Sequence, residues 1–179
     1  MNPEIFAEFL SRQGHCVVKT DTCYWYNARP GFYFYFPYHR LISPSIEELK
    51  QILWDQRCIG LRFFTPTQCV GRISYLIVCT DKTYDLQNLH LKARNQTRRG
   101  LENFEVTQLS FGDLARFGNR LNLDTLKRQG RDVSAWTERS WTSYCDAAGG
   151  LAGFDAWAVF RDGRMASFLV GFQMDKVVI

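Results

Sequence analysis

Four cations fall within eight positions of this sequence: Lys92, Arg94, Arg98 and Arg99. The next acid is Glu102. An arginine guanidinium is a planar fork that donates two parallel hydrogen bonds to a phosphate or carboxylate. Arg94 and Arg98 stand four apart, so on a helix both reach one anion. The chemistry on offer is anchorage of an anionic acceptor or a nucleotide. The alternative is that the long stems lie along the edges of a buried stripe with their heads in water. A second basic group, Lys127, Arg128 and Arg131, surrounds Gly130 at an expected helix–helix turn. It reads either as a substrate contact or as a solvated turn, because a lone glycine makes no phosphate loop.

A general base must lie within hydrogen-bond reach of the proton it removes. Asp155 and Glu138 are the carboxylates available, and both also read as ordinary surface acids. Trp136, Trp141, Tyr144 and Trp157 can wall an acceptor pocket or fill a core. Trp141 and Tyr144 share a helix face and form the best pocket pair, whereas only one of Asp155 and Trp157 is expected to face the core. Covalent catalysis finds no support. There is no Gly-x-Ser-x-Gly elbow, Cys145 lacks a neighbouring base, and His15, His39 and His90 show no partner in the sequence. The His of Tyr38-His39-Arg40, beside Pro37, reads as a structural contact or a ligand contact.

The wider composition bounds these readings. Of 179 residues 46% are apolar and 22% charged, enough for a core and too balanced for disorder. Charge is uneven. Residues 1–91 hold nine Lys/Arg against eight Asp/Glu, while residues 92–131 hold nine against four, a net of +5. That stripe suits a phosphorylated or carboxylate-bearing ligand and is thin for a duplex-DNA binder. Six cysteines, at 16, 23, 58, 69, 79 and 145, form no CxxC pair and no zinc-spaced set, so no metal is expected. They read as reduced, buried thiols. The first fifteen residues lack the basic start and apolar run of a secretory leader, and no stretch approaches the roughly 20 apolar residues of a membrane span. A cytoplasmic protein is expected.

The elements that would position these residues follow from periodicity and punctuation. Asn2-Pro3-Glu4 opens a short helix ended by Gly14. His15–Thr20 reads as a strand. Residues 22–28 and 32–36 pair across an Arg29-Pro30-Gly31 turn. Ser45 caps a helix, with Glu48 completing a capping box. Residues 58–64 and 71–80 read as two more strands, giving an α+β module built largely from hairpins. From Asp85 to Leu101 the stripe Leu86, Leu89, Ala93, Thr97 and Leu101 predicts a helix, with the cations flanking its buried face. Then come a strand at 104–110, a helix at 111–127 with Leu114, Phe117, Leu121 and Leu126 inward, and a helix from Ser134 to Ala148. Two strands joined at Asp162-Gly163 follow, and another strand opens at Val177.

Read from Phe104, this order resembles the front half of the GNAT acyltransferase fold. "LKARNQTRRGLENFEVTQLS" resembles the basic helix and first strand of FemAB-like members, and "LNLDTLKRQGR" and "SWTSYCDAAGGLAGFDAWAVFRDGRMASFLVG" resemble their helices and central hairpin. The aromatic first half, with "YWYN" and "FPYHR", resembles the module that precedes such domains. The resemblance implies an N-terminal α+β module at 1–84, then, at 85–179, the front half of a GNAT-like mixed sheet with flanking helices, incomplete at its C-terminus. It implies direct acetyl or aminoacyl transfer to a small-molecule or peptide amine. The donor would be acyl-CoA or aminoacyl-tRNA, with tRNA a partner. Asp155 would be the base, and Arg94, Arg98, Arg99, Arg128, Arg131, Trp141 and Tyr144 the acceptor contacts. Val177, Val178 and Ile179 would begin the donor-binding strand. The Gly-rich turn and helix that hold pyrophosphate in the family have no counterpart here, so the chain is expected to be an inactive fragment whose open sheet edge invites association. The alternative is a non-catalytic module that holds RNA or an acidic partner through the basic helix and aromatics.

Overall fold

The computed structural model describes residues 2–66 and 71–179. The chain is mixed α+β and divides into two compact units, Met1–Leu76 with Gly150–Gly153 and Phe172–Ile179, and Ile77–Gly149 with Phe154–Gly171. Cys69 lies outside the described residues.

The first unit begins with α1 (Pro3–Arg12), capped by the Asn2 side chain, which accepts from the Glu4 backbone N–H. It buries Phe6, Phe9 and Leu10 on one side. Strands β1 (Val17–Lys19), β2 (Tyr24–Arg29) and β3 (Phe32–Phe36) are antiparallel neighbours, with Trp25 opposite Tyr35 and Tyr26 opposite Phe34. After α2 (Ile46–Asp55), β4 (Gly60–Arg62) pairs parallel with β3. The unit is therefore not built from hairpins alone, because the helix provides the crossover a parallel pair requires.

Both faces of this sheet are covered, which accounts for the aromatic content. Trp25, Tyr33 and Tyr35 pack with Cys23, Ile42 and Ile52 on one side. On the other, the Phe36 ring stacks on Tyr24 at 5.1 Å and meets Phe6 edge-on at 5.1 Å. The polar ends of the buried rings are satisfied, as burial demands. Trp25 Nε1 donates to Thr20 Oγ1 at 3.2 Å, and the Tyr35 hydroxyl donates to the Arg40 carbonyl at 2.8 Å.

Two expectations fail in this unit. Ser45 caps α2, but Glu48 does not reach back to complete the box; its Oε1 accepts from the Thr22 hydroxyl at 2.6 Å instead. Residues 71–80 form no strand. Ile73, Tyr75 and Ile77 are 76%, 86% and 96% exposed. A strand exists only where a neighbour takes up its backbone groups, and apolar alternation alone does not provide one.

The second unit holds α3 (Leu91–Asn103), β5 (Glu105–Leu109), α4 (Phe111–Phe117), α5 (Asn119–Arg128), α6 (Glu138–Ala148), β6 (Phe154–Arg161) and most of β7 (Arg164–Met174). Strands are neighbours in the order β5-β6-β7-β8, and β8 (Val177–Val178) pairs antiparallel with the end of β7 at Gln173 and Met174, residues that belong to the first unit. β5 and β6 run antiparallel with Leu109 opposite Ala156. The β6–β7 turn carries positive φ at Asp162 and Gly163, 50° and 72°, as a type I′ hairpin requires. Leu114, Trp141, Cys145 and Ala156 form the buried centre.

Helix boundaries here differ from those expected. α3 starts at Leu91, because Asp85 accepts from the Gln87 N–H in a turn and His90 caps the helix. α6 starts after Thr137, whose Oγ1 accepts from the Ser140 N–H, while Ser134 is held by Asp132. The single helix expected at 111–127 is broken at Gly118. A Cβ there would lie 2.7 Å from Trp141 Cζ2 and 2.8 Å from the Leu114 carbonyl, so only glycine lets Trp141 pack over the break. Phe117, expected inward, is 55% exposed.

Candidate functional site

The basic helix is α3, and no residue of it is buried. This corrects the expectation of a buried stripe flanked by cations: Leu101 is 54% exposed, and Leu86 and Leu89 precede the helix. At 100° per residue, Lys92, Arg94, Arg98 and Arg99 span an arc of about 160°. Arg94 Nη1 donates to the Gln87 carbonyl at 3.4 Å. Among the described residues no carboxylate pairs with any of the four. Their charge is therefore uncompensated and faces solvent along one side of a 13-residue helix.

The second basic group is differently placed. Arg128 Nε lies 3.0 Å from Asp124 Oδ2, one helical turn back, with both side chains largely exposed. Arg131 and Lys127 flank the turn at Gly130, whose φ is +65°. Among the described residues no hydrogen bond or ion pair joins this turn to α3.

The aromatics form one cluster and one outlier. Tyr144 stacks on Trp141 at 5.8 Å and 21°, Trp136 lies 6.0 Å from Trp141, and Phe168 lies 5.6 Å from it. Trp141 is 2% exposed and donates from Nε1 to the Leu114 carbonyl at 3.2 Å, so it is core. Trp136 and Tyr144 are half-buried at its rim, and burial pushes the Tyr144 hydroxyl pKa up. Trp157 sits elsewhere. Strand residues two apart share a face, so Asp155 and Trp157 both point away from the core, while Phe154, Ala156 and Ala158 point into it. The expectation that one of the two faces inward was an error of period. Asp155 accepts from Gln108 Nε2 at 2.8 Å on this open face. Glu138 opens α6, where its charge complements the helix N-terminus.

The thiols and imidazoles have partners or environments that sequence did not disclose. Cys145 is fully buried, and burial pushes its thiol up to about 11. Cys23 is pushed to about 11 for the same reason. Cys16 and Cys79, by contrast, are exposed, against the expectation of uniform burial. His15 Nδ1 contacts Asn27, His90 Nδ1 accepts from the Lys92 N–H, and His39 Nε2 lies 3.1 Å from Asp175 Oδ2. The last pair is separated by 136 residues, and no local signal could have joined it. Among the described residues no group of three or more His, Cys, Asp or Glu is placed to hold a metal ion. Among the described residues no helix is long and apolar enough to cross a membrane.

No protein-family model, curated protein or solved structure matches the chain.

Proposed function

We propose that the chain serves direct acyl transfer, acetyl or aminoacyl, to an amine acceptor, and that it contributes the acceptor side of a GNAT-like, FemAB-like domain. The observation that carries this reading is the element order from Glu105 onward: strand β5, helices α4 to α6, then β6, β7 and β8 in adjacent sheet positions. In this reading Arg94, Arg98 and Arg99, with Arg128 and Arg131, hold the anionic part of a substrate. Tyr144 contacts the acceptor, and Trp141 positions Tyr144 by stacking. Asp155, on the open face of β6, takes the amine proton. Val177, Val178 and Ile179 belong to the strand beside the acyl donor, which is acyl-CoA or aminoacyl-tRNA in the cytoplasm. The test is to incubate the protein at its native length with labelled acetyl-CoA, and separately with charged tRNA, against a panel of amines and amino-terminal peptides. Labelled amide from either donor supports the reading, and none from both rejects it.

A second reading is favoured by the unpaired arc on α3. A cationic helix face without carboxylate partners can hold an RNA backbone with no chemistry at all. Four phosphate contacts to a single strand give a log–log salt slope of about −3. Such binding without transfer would establish the module reading.

A further inference from the structure

One face of the first unit's sheet changes character along its length. Strand residues two apart share a face, so β3 presents Phe36, Phe34 and Phe32 on it. Phe36 is fully buried against Phe6 of α1, Phe34 is half-buried, and Phe32 is 42% exposed. The end of the face nearest the Arg29–Phe32 turn is therefore open, and it is aromatic and cationic. On β2, Arg29 stands opposite Phe32 and Tyr26 opposite Phe34; on β4, Gly60 and Arg62 stand beside the same two residues. None of the four strands holds an Asp or Glu. Arg29 and Arg62 are exposed, and among the described residues neither has a carboxylate partner.

Rings and cations are layered on this end. The Phe32 ring lies across Gly60, where a Cβ would fall 2.9 Å from Phe32 Cε1, so any side chain at 60 would displace the ring. The Arg62 guanidinium lies over the Phe34 ring, 5.3 Å from its centroid, and Tyr26 meets that ring edge-on at 6.4 Å. A nucleobase stacks on an aromatic ring or on a guanidinium plane, and a cationic groove beside it tracks the phosphates. Along the strand Phe32 and Phe34 are about 7 Å apart, roughly twice the 3.4 Å rise between stacked bases. Bases docked at both positions are splayed, which a single strand permits and a duplex does not. An acidic peptide would use the two cations and leave the exposed Phe32 ring without a partner.

We propose that this open face binds single-stranded nucleic acid, with one base stacked on Phe32, the next on the layer of Arg62 over Phe34, and Arg29 on the phosphate. The inference rests neither on the transfer reading nor on the cations of α3, since every residue it uses lies in the first unit.

The probes are fluorescein-labelled uridine and thymidine octamers, a short DNA duplex and an oligoglutamate, each titrated with the intact chain and followed by anisotropy. The expected result is saturable binding of one or both octamers, at least tenfold tighter than the duplex or the oligoglutamate. The ratio of the two octamers tells RNA from DNA. Phe32→Ala, shown folded by circular dichroism, weakens the octamer at least fivefold, as loss of one stacked base requires. Arg62→Lys keeps the charge and loses the plane, so affinity falls several-fold while the salt slope stays. Arg29→Gln reduces that slope by about 0.7. In the double variant Arg94→Ala with Arg98→Ala the Phe32 effect persists, which separates this face from α3. No saturable binding of either octamer, equal binding of the duplex or the oligoglutamate, an affinity unmoved by Phe32→Ala, or loss of all binding in the α3 double variant would each overturn the proposal. The comparison of ligands on the intact chain stands even if a variant does not fold.

Discussion

One oxygen of Asp175 receives both His39 Nε2 and the Arg40 guanidinium, tying the end of the chain to the segment that follows β3. The side chain of His39 is 14% exposed and that of Asp175 is 29% exposed, so the pair is partly shielded from solvent. Removing the acceptor leaves His39 and Arg40 unpaired, and hydrogen bonds to a charged group count for more than neutral ones. Discounted for exposure, Asp175→Ala is expected to destabilise the chain by about 1–2 kcal/mol, read from urea unfolding. A change within error would show the cluster to be energetically idle.

The same carboxylate gives a pH dependence. Burial acts to raise its pKa, but the Arg40 guanidinium and His39 outweigh burial and hold it below the ordinary aspartate value. A carboxyl with a depressed folded-state pKa contributes stability that is present above the unfolded value, about 4, and is lost as pH falls below it. Stability should therefore drop more steeply between about pH 4 and pH 2 in the native chain than in Asp175→Asn. Parallel curves would contradict this.

At high pH the thiols act in the opposite sense. Cys23 and Cys145 are raised by burial to about 11 from an ordinary 9.0. Their stabilising effect is complete below about pH 9 and is lost as pH rises toward 11, because the unfolded chain ionises first. Residue-resolved alkylation at pH 8 should label Cys16 and Cys79 first and leave Cys23 and Cys145 unlabelled until denaturant is added. Early labelling of Cys145 would contradict its place in the core.

Gly118 is the tightest sequence requirement in the second unit. Gly118→Ala places a methyl against the Trp141 ring and the Leu114 carbonyl. The backbone oxygen cannot rotate away, so a loss of about 1–3 kcal/mol is expected, with altered tryptophan fluorescence. Full stability would mean that α4 and α5 can separate without cost.

Sequence reading succeeded where structure is local. The Asn2 and Ser45 caps, the Arg29–Gly31 and Asp162–Gly163 turns and the helix stacking of Trp141 on Tyr144 all follow from spacing of a few residues. It failed where a distant partner decides. Residues 71–80 have the apolar pattern of a strand but no strand beside them. Leu101 has the spacing of a buried residue, but α3 buries none. The break at Gly118 depends on a ring 23 positions further on, and the Asp175 cluster on residues from opposite ends of the chain. The candidate cations were legible because charge shows itself in composition; their lack of carboxylate partners was not.

The central claim is that α3 holds the anionic part of an acyl-transfer substrate. Arg94→Ala combined with Arg98→Ala tests it most directly, in the labelled-transfer assay and in urea unfolding side by side. Neither side chain is buried, so the account predicts unchanged stability, within about 0.5 kcal/mol. It also predicts at least a tenfold fall in transfer, mostly through substrate affinity. Transfer at the native rate in a stable double variant would contradict the account and leave α3 an ordinary solvated helix.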